Sequence, residues 1–307
     1  MIFVTGAAGV MGLRLVRGLL AQGRRVRALV LPGDPLVGRL ERLPCEVVEG
    51  DITRPETLRG KLEGVRTVYH LAALILARDP GLYTRVNVHG TGHLLKEAAD
   101  AAVRHFVYVS SASVVYPRST PYSRSKQEAE RLVRAAPGLA HTIVRPTLVY
   151  DEHGGQEFMM FWEQLRKFPV VPFVGQGQAK KSPVHCDDLV AGLLGIADNP
   201  AAHGQIYNLC GAEVVTLSEL ARMLLGRDGR QKRFVHLPVP LCRLLAAILC
   251  RVWRGCPLTH SAIAGLTQDA NLDWSQAARD LGYAPIGVRQ GLERCFALAG
   301  VERSFRG

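Results

Sequence analysis

The sequence predicts an α/β chain, built as a doubly wound parallel sheet with helices on both faces. Three observations predict it. Strand-like apolar runs alternate with amphipathic helical runs from residue 1 through Val109. A glycine-rich turn, Thr5-Gly6-Ala7-Ala8-Gly9-Val10-Met11-Gly12, joins the first strand to the first helix. The 307 residues, 48% hydrophobic and 21% charged, suffice for one large domain or for a nucleotide domain with a smaller partner.

In order, Ile2, Phe3 and Val4 read as a buried strand and Leu13 to Ala21 as a helix. Gly6 allows the tight turn off the strand, Gly9 lets the backbone approach a pyrophosphate, and Gly12 lets the helix pack closely. Val10 and Met11 complete the turn, and the helix amides aim at the phosphates. The spacing G-x-x-G-x-x-G differs from G-x-G-x-x-G, so its place between strand and helix carries the reading of a dinucleotide cradle.

Arg25 to Leu31 is a second strand whose end meets the adenosine ribose. An acid there accepts from a 2′-hydroxyl and an arginine favours a 2′-phosphate; Val30 and Leu31 supply neither, which leaves Asp34 or Arg39 to reach from the loop. The cofactor is expected to be NAD, with NADP the alternative. Cys45 to Glu49 is a third strand, followed by Gly50-Asp51-Ile52. That turn either places Asp51 near the adenine amino group or is an ordinary strand end capped at Thr53. Val65 to Leu71 is the fourth strand, and the small residues of His70-Leu71-Ala72-Ala73 let the backbone lie against a cofactor. His70 itself reads as a core histidine.

A helix over Val86 to Ala101 and a strand over His105 to Val109 follow, and ligands of such sheets bind at the carboxyl ends of the strands. The next strand end reads Ser110-Ser111-Ala112-Ser113, and 11 residues beyond Ser111 comes Tyr122-Ser123-Arg124-Ser125-Lys126 at the start of a helix. Tyrosine and lysine at i and i+4 share one face. A phenol with an ordinary pKa of about 10 is a poor base near neutrality. A nearby ammonium and an oxidised nicotinamide would stabilise its phenolate, and Ser111 would steady an oxygen passing between alcohol and ketone.

Other classes are disfavoured. The formal charge of +11 is dispersed and accompanies no nucleic-acid motif, so it suits an anionic cofactor and substrate, an acidic membrane surface or simply a basic exterior. The 7 cysteines contain no C-x-x-C pair, so neither a disulfide framework nor a metal site is expected. Arg243 and Arg251 interrupt the apolar stretch 237–254, which therefore reads as core, dimer contact or peripheral membrane docking rather than a span. The first strand begins at residue 2 and leaves no room for a secretory signal, so a cytoplasmic enzyme is expected.

Beyond these readings, the chain resembles the short-chain dehydrogenase/reductase superfamily in its extended, NAD-dependent epimerase/dehydratase-like branch. The resemblance rests on the glycine turn, G-D-I at 50 to 52, H-L-A-A at 70 to 73, N-V-H-G-T at 87 to 91, S-S-A-S at 110 to 113, Y-S-R-S-K at 122 to 126, R-P-T-L-V-Y at 145 to 150 and V-H-C-D-D at 184 to 188. It implies a Rossmann-like domain over 1–150 and a substrate lobe over 151–307, packed as one body. It implies that Gly6, Gly9, Val10, Met11, Gly12, Asp51, Ile52, Leu71, Ala72, Ala73 and Pro146 meet the cofactor. Tyr122 would be the base, Lys126 would hold the ribose and lower the tyrosine pKa, and Ser111 would polarise the substrate oxygen. Asn87 would be structural or cofactor-lining. The resemblance also implies a homodimer, with the helix near Tyr122 as one candidate face.

Departures narrow the chemistry. Ala112-Ser113 stand where dehydratases of this branch carry Asp-Glu, Leu148 stands for an asparagine, and Lys181 stands for the arginine of G-x-G-x-x-x-R. Lys181 can still meet a diphosphate as a point charge. The first functional reading is a nucleotide-sugar epimerase acting on a small-molecule substrate through Ser111, Tyr122 and Lys126. The apolar stretch, with Pro257-Leu258-Thr259 and Ala278-Arg279-Asp280-Leu281-Gly282-Tyr283, also resembles 3β-hydroxysteroid dehydrogenase-like and dihydroflavonol reductase-like proteins, giving an oxidoreductase of an apolar alcohol or ketone. A non-catalytic dinucleotide-binding protein is a third reading, against which the retained Ser111, Tyr122 and Lys126 count.

Overall fold

Seven parallel strands make the central sheet: β1 (Ile2–Thr5), β2 (Val26–Val30), β3 (Glu46–Glu49), β4 (Thr67–His70), β5 (His105–Val109), β6 (Ala140–Pro146) and β7 (Ile206–Leu209). The computed structural model describes residues 1–152, 155–252 and 258–304. Trp253 and Arg254 of the apolar stretch, together with Cys256 and Pro257, lie outside them. The helices used below are α1 (Val10–Ala21), α2 (Gly90–Asp100), α3 (Pro121–Ala135), α4 (Gln156–Lys167), α5 (Cys186–Leu194), α6 (Leu217–Arg227), α7 (Val239–Val252), α8 (His260–Thr267) and α9 (Val288–Ser304).

Spatial order across the sheet is β7-β6-β5-β4-β1-β2-β3. The chain therefore winds outward from β1 to β3, returns to β4, and winds outward on the other side. The order reverses between β1 and β4, and ligands of such sheets bind beyond the strand ends at that reversal. Both faces are covered, which is why β1, β4 and β5 are buried at every position instead of alternating. Val4, Val107 and Val144 pack beneath α1 and α5, while Phe3, Phe106 and Tyr108 pack beneath α2 and α3.

Three local differences from the sequence reading have physical causes. Helix α1 begins at Val10, taking in the three turn residues Val10, Met11 and Gly12, because Gly9 is extended and caps it directly. The helix expected over 86–101 opens as a π-helical stretch, Thr84–His89, before α2. Leu237 ends a strand, Arg233–Leu237, paired in parallel with Val170–Val174, and the helix starts only after Pro238.

A second core forms the smaller lobe, where Phe158, Phe173, Leu220, Leu224, Val288 and Leu292 meet. The lobe is not one run of sequence. α5 packs on α1, β7 joins the edge of the main sheet beside β6, and Ala277 and Tyr283 return to the core under α1. Among the described residues, no helix is long and apolar enough to cross a membrane.

Candidate active site

Three strand ends build the site. At the first, Gly6 adopts φ +68°, a conformation that L side chains rarely adopt, and a Cβ there would stand 3.0 Å from the Ala72 amide. A Cβ on Gly12 would overlap the Gly6 carbonyl oxygen. The glycines thus let β1, α1 and the segment Leu71–Ala73 close on one another. Gly9 offers α1 no side-chain cap, and its first turn holds no acid. The unshared amides and positive helix end suit a pyrophosphate, so the chain's residues fit a dinucleotide.

The second strand end is locked by a polar chain. The Thr5 hydroxyl accepts from the Ala72 amide at 3.1 Å and donates to His70 Nδ1 at 2.7 Å. This assigns the other proton to His70 Nε2, which donates to Thr91 Oγ1 at 3.0 Å, and Thr91 donates to the Asn87 carbonyl at 2.7 Å. Burial first, then the charge of Lys126, lowers the His70 pKa to about 3, so the ring is neutral and structural. Asn87 exchanges hydrogen bonds with both backbone groups of Leu74, at 2.8 and 3.0 Å, and donates to Ser125 Oγ at 3.0 Å. Its role is to clamp the segment after β4 onto α3.

At the third strand end, Ser111 caps the short helical turn Ala112–Val115, its hydroxyl 2.9 Å from that of Ser113. Thr120 and Ser123 form a capping box that starts α3, with Pro121 in its first turn, and this sets Tyr122 facing the cleft end of β5. The Tyr83 ring meets the Tyr122 ring edge to face at 6.0 Å. Burial, and then the Glu157 carboxylate, push the Tyr122 phenol above its ordinary value, while a hydrogen bond with the Ser111 side chain opposes them.

Lys126 is 1% exposed. Its ammonium donates to the Val109 carbonyl at 2.7 Å and lies 4.3 Å from the centre of the Tyr108 ring. Burial lowers its pKa to about 7, and Glu130, one turn along the same helix face, works against that. Glu130 is itself held by Arg145 through two bonds of 2.9 and 2.6 Å. The chain by itself therefore keeps Tyr122 protonated. The rise at Tyr122 comes from burial, Glu157 and Tyr83 and is opposed by Ser111.

The remaining expected residues are placed as follows. Asp51 Oδ1 accepts from the Thr53 amide and hydroxyl, both at 2.8 Å, and Ile52 is buried beneath Gly90. Pro146 ends β6 opposite Leu209. Lys181 turns inward: it donates to the carbonyls of Gly265 at 2.7 Å and Gln268 at 2.6 Å, and burial lowers its pKa to about 8. Asp34 accepts from the Leu36 amide at 2.9 Å, closing its own turn, and Arg39 is exposed.

Sequence reasoning missed Glu157, in the first turn of α4. It acts electrostatically on Tyr116, Tyr122 and Lys181, which places it where the two lobes face each other. Its surface stays accessible to a small molecule, yet enough protein surrounds it to raise its own pKa. The Glu130–Arg145 pair was also missed, although Glu130 lies at i+4 from Lys126. Glu152, His185 and Cys295 bring ligand-type atoms within 4.8 Å of one another under α9. Arg14 supplies the positive charge at that cluster through ion pairs with Asp151, Glu152 and Asp187.

Residues 2–210 match the model of the NAD dependent epimerase/dehydratase family. The chain belongs to that family. It is an enzyme of the extended short-chain dehydrogenase type with a nicotinamide dinucleotide as cofactor. The chain is 32% identical to a ceramide reductase of Caulobacter vibrioides, over 90% of this chain and 86% of that one. It is 36% identical to sterol demethylase protein B of Methylococcus capsulatus, over 93% and 94%. Among solved structures it is similar to DesIV, a dTDP-glucose 4,6-dehydratase from Streptomyces venezuelae with NAD and TYD bound, with TM-score 0.78, 25% identity, and 99% and 98% covered. This family member thus joins an epimerase/dehydratase framework to relatives whose names concern lipids.

Proposed function

We propose that this enzyme interconverts a ketone and a secondary alcohol on an apolar, lipid-like substrate, with reduction as its working direction. The observation that carries the reading is the arrangement of Ser111, Tyr122 and Lys126 around the end of β5. The bound nicotinamide supplies or accepts the hydride. Ser111 holds the substrate oxygen, Tyr122 delivers a proton to it as the carbonyl becomes an alcohol, and Lys126 fixes the helix that carries the tyrosine to the end of β5.

Two further observations support the apolar substrate. The segments flanking the catalytic strand ends expose aliphatic side chains: Ile75 and Leu76 after β4, and Val115 beyond Ser113. Lys181, the cation that a nucleotide diphosphate would need, gives two of its protons to backbone carbonyls. A nucleotide-sugar epimerase uses the same three catalytic groups, and the likeness to DesIV keeps it as the second reading. A homodimer and a cytoplasmic location belong to the proposal as well, the former checked by light scattering.

The test supplies the purified protein with reduced dinucleotide and either a water-soluble short-chain ketone, a long-chain keto lipid or a nucleotide sugar. The proposal expects cofactor oxidation with the ketones. Tyr122→Phe should lose about 10²- to 10⁴-fold in kcat while still binding dinucleotide. Epimerisation of the nucleotide sugar without net cofactor oxidation would overturn it.

A further inference from the structure

We propose that α7 docks the enzyme peripherally on an anionic lipid bilayer. Its packing is turned around relative to side-chain size. The residues it buries are Cys242 and Ala246, against Val174 and Ile263, while Leu241, Leu244 and Ile248 are 42%, 59% and 54% exposed. The spacing 241, 244, 248 puts these three on one stripe of the helix. An outward aliphatic stripe next to a small-residue inner face is the arrangement of an interfacial helix rather than of a core helix.

Charge decides what covers the stripe. Between Asp228 and Asp269 the sequence contains no acidic residue and six basic ones, Arg230, Lys232, Arg233, Arg243, Arg251 and Arg254. Arg230 and Lys232 are bonded to carbonyls near the end of α4. Arg243 and Arg251 are exposed on α7 and make no ion pair among the described residues. A second copy of the chain would bring the same cations against these, in a protein already carrying +11. Anionic headgroups neutralise them while the acyl boundary takes the leucines and Ile248.

The docked face also has a route to the chemistry. α7 packs on α8, and the end of α8 supplies the Gly265 and Gln268 carbonyls that hold Lys181. Gln268 in turn bonds both backbone groups of Arg118, in the loop between Ser111 and Tyr122. The bilayer would thus lie against the wall of the cleft from which a lipid-like substrate enters. This step rests on the proposed substrate class, but docking is measured without substrate.

The experiment is cosedimentation of the full chain with vesicles of phosphatidylcholine alone, or of phosphatidylcholine with phosphatidylglycerol. Binding is expected on the anionic vesicles, weakened by high salt. It should fall at least about tenfold in L244E/I248E, while turnover of a water-soluble ketone is unchanged. R243Q/R251Q should retain fold and activity but bind more weakly, which guards against misfolding of the first variant. Failure to bind anionic vesicles, or binding by both variants as strong as that of the unaltered chain, overturns docking. So does a dimer that L244E/I248E disperses in light scattering while vesicle binding is unaltered. Loss of ketone turnover in the unaltered protein would instead count against the substrate reading.

Discussion

The Lys126 ammonium donates to the Val109 carbonyl at 2.7 Å, and so suspends the helix that carries Tyr122 from the last residue of β5. Because Ser111 follows two residues later, one buried bond sets the spacing of hydroxyl and phenol. Lys126→Met should therefore lose more than a charge. It breaks the bond to the Val109 carbonyl, and on the proposed role of Lys126 at the cofactor kcat/KM should fall about 10²-fold or more and dinucleotide affinity should weaken. Steady-state kinetics with a dinucleotide titration checks both.

Glu157 opposes ionisation of Tyr122. A negative neighbour raises the phenol's pKa, so Glu157→Gln should lower it, by on the order of one unit. Reduction uses the phenol and oxidation the phenolate. The alkaline fall of ketone reduction should accordingly move to lower pH, and alcohol oxidation should gain at a given pH. Unmoved profiles in both directions would remove Glu157 from the account.

Gly12 and Gly18 sit on the same helix and predict opposite outcomes. A methyl on Gly12 meets the backbone of Gly6 and Ala7, which cannot yield without opening the turn. The atoms nearest a methyl on Gly18 are the ends of the flexible Leu194 side chain. Gly12→Ala should cost about 1–3 kcal/mol and abolish dinucleotide binding, whereas Gly18→Ala should stay within about 1 kcal/mol by urea denaturation.

Acid should weaken the protein through two buried histidines. His70 is lowered to about 3 and His105, buried beside His203, to about 4. Their unfolded values are about 6.5, so between these limits the unfolded chain binds more protons. The contribution of the two histidines should be complete above pH about 6.5 and be lost as pH drops toward 4. His105→Gln should reduce the slope measured by urea unfolding at successive pH values.

The parallel α/β sheet was legible because alternating strands and helices are a periodic signal, and the i, i+4 spacing set Tyr122 and Lys126 on one face of a helix. What was not legible depends on contacts distant in sequence. Asn87 gains its meaning from Leu74 and Ser125, which no local pattern announces. Lys181 looked like a cation awaiting an anion, and only folding shows it spent on α8 carbonyls. In α7 the pattern was apolar nearly all round, so it could not say that Cys242 and Ala246 would win the inner side. Small side chains permit the closest approach of helix to lobe, and the larger ones were left outside.

The return of β7 to the main sheet bears on how the molecule can be divided. The polypeptide passes between the two cores several times, at Val149–Tyr150, at α5, at β7 and again near Ala277. A cut after residue 150 would strip β6 of its neighbour and expose an unpaired backbone edge along it, so the halves are not separable as recombinant fragments. Each of these crossings ties one core to the other, so the two cores share a backbone as well as a boundary.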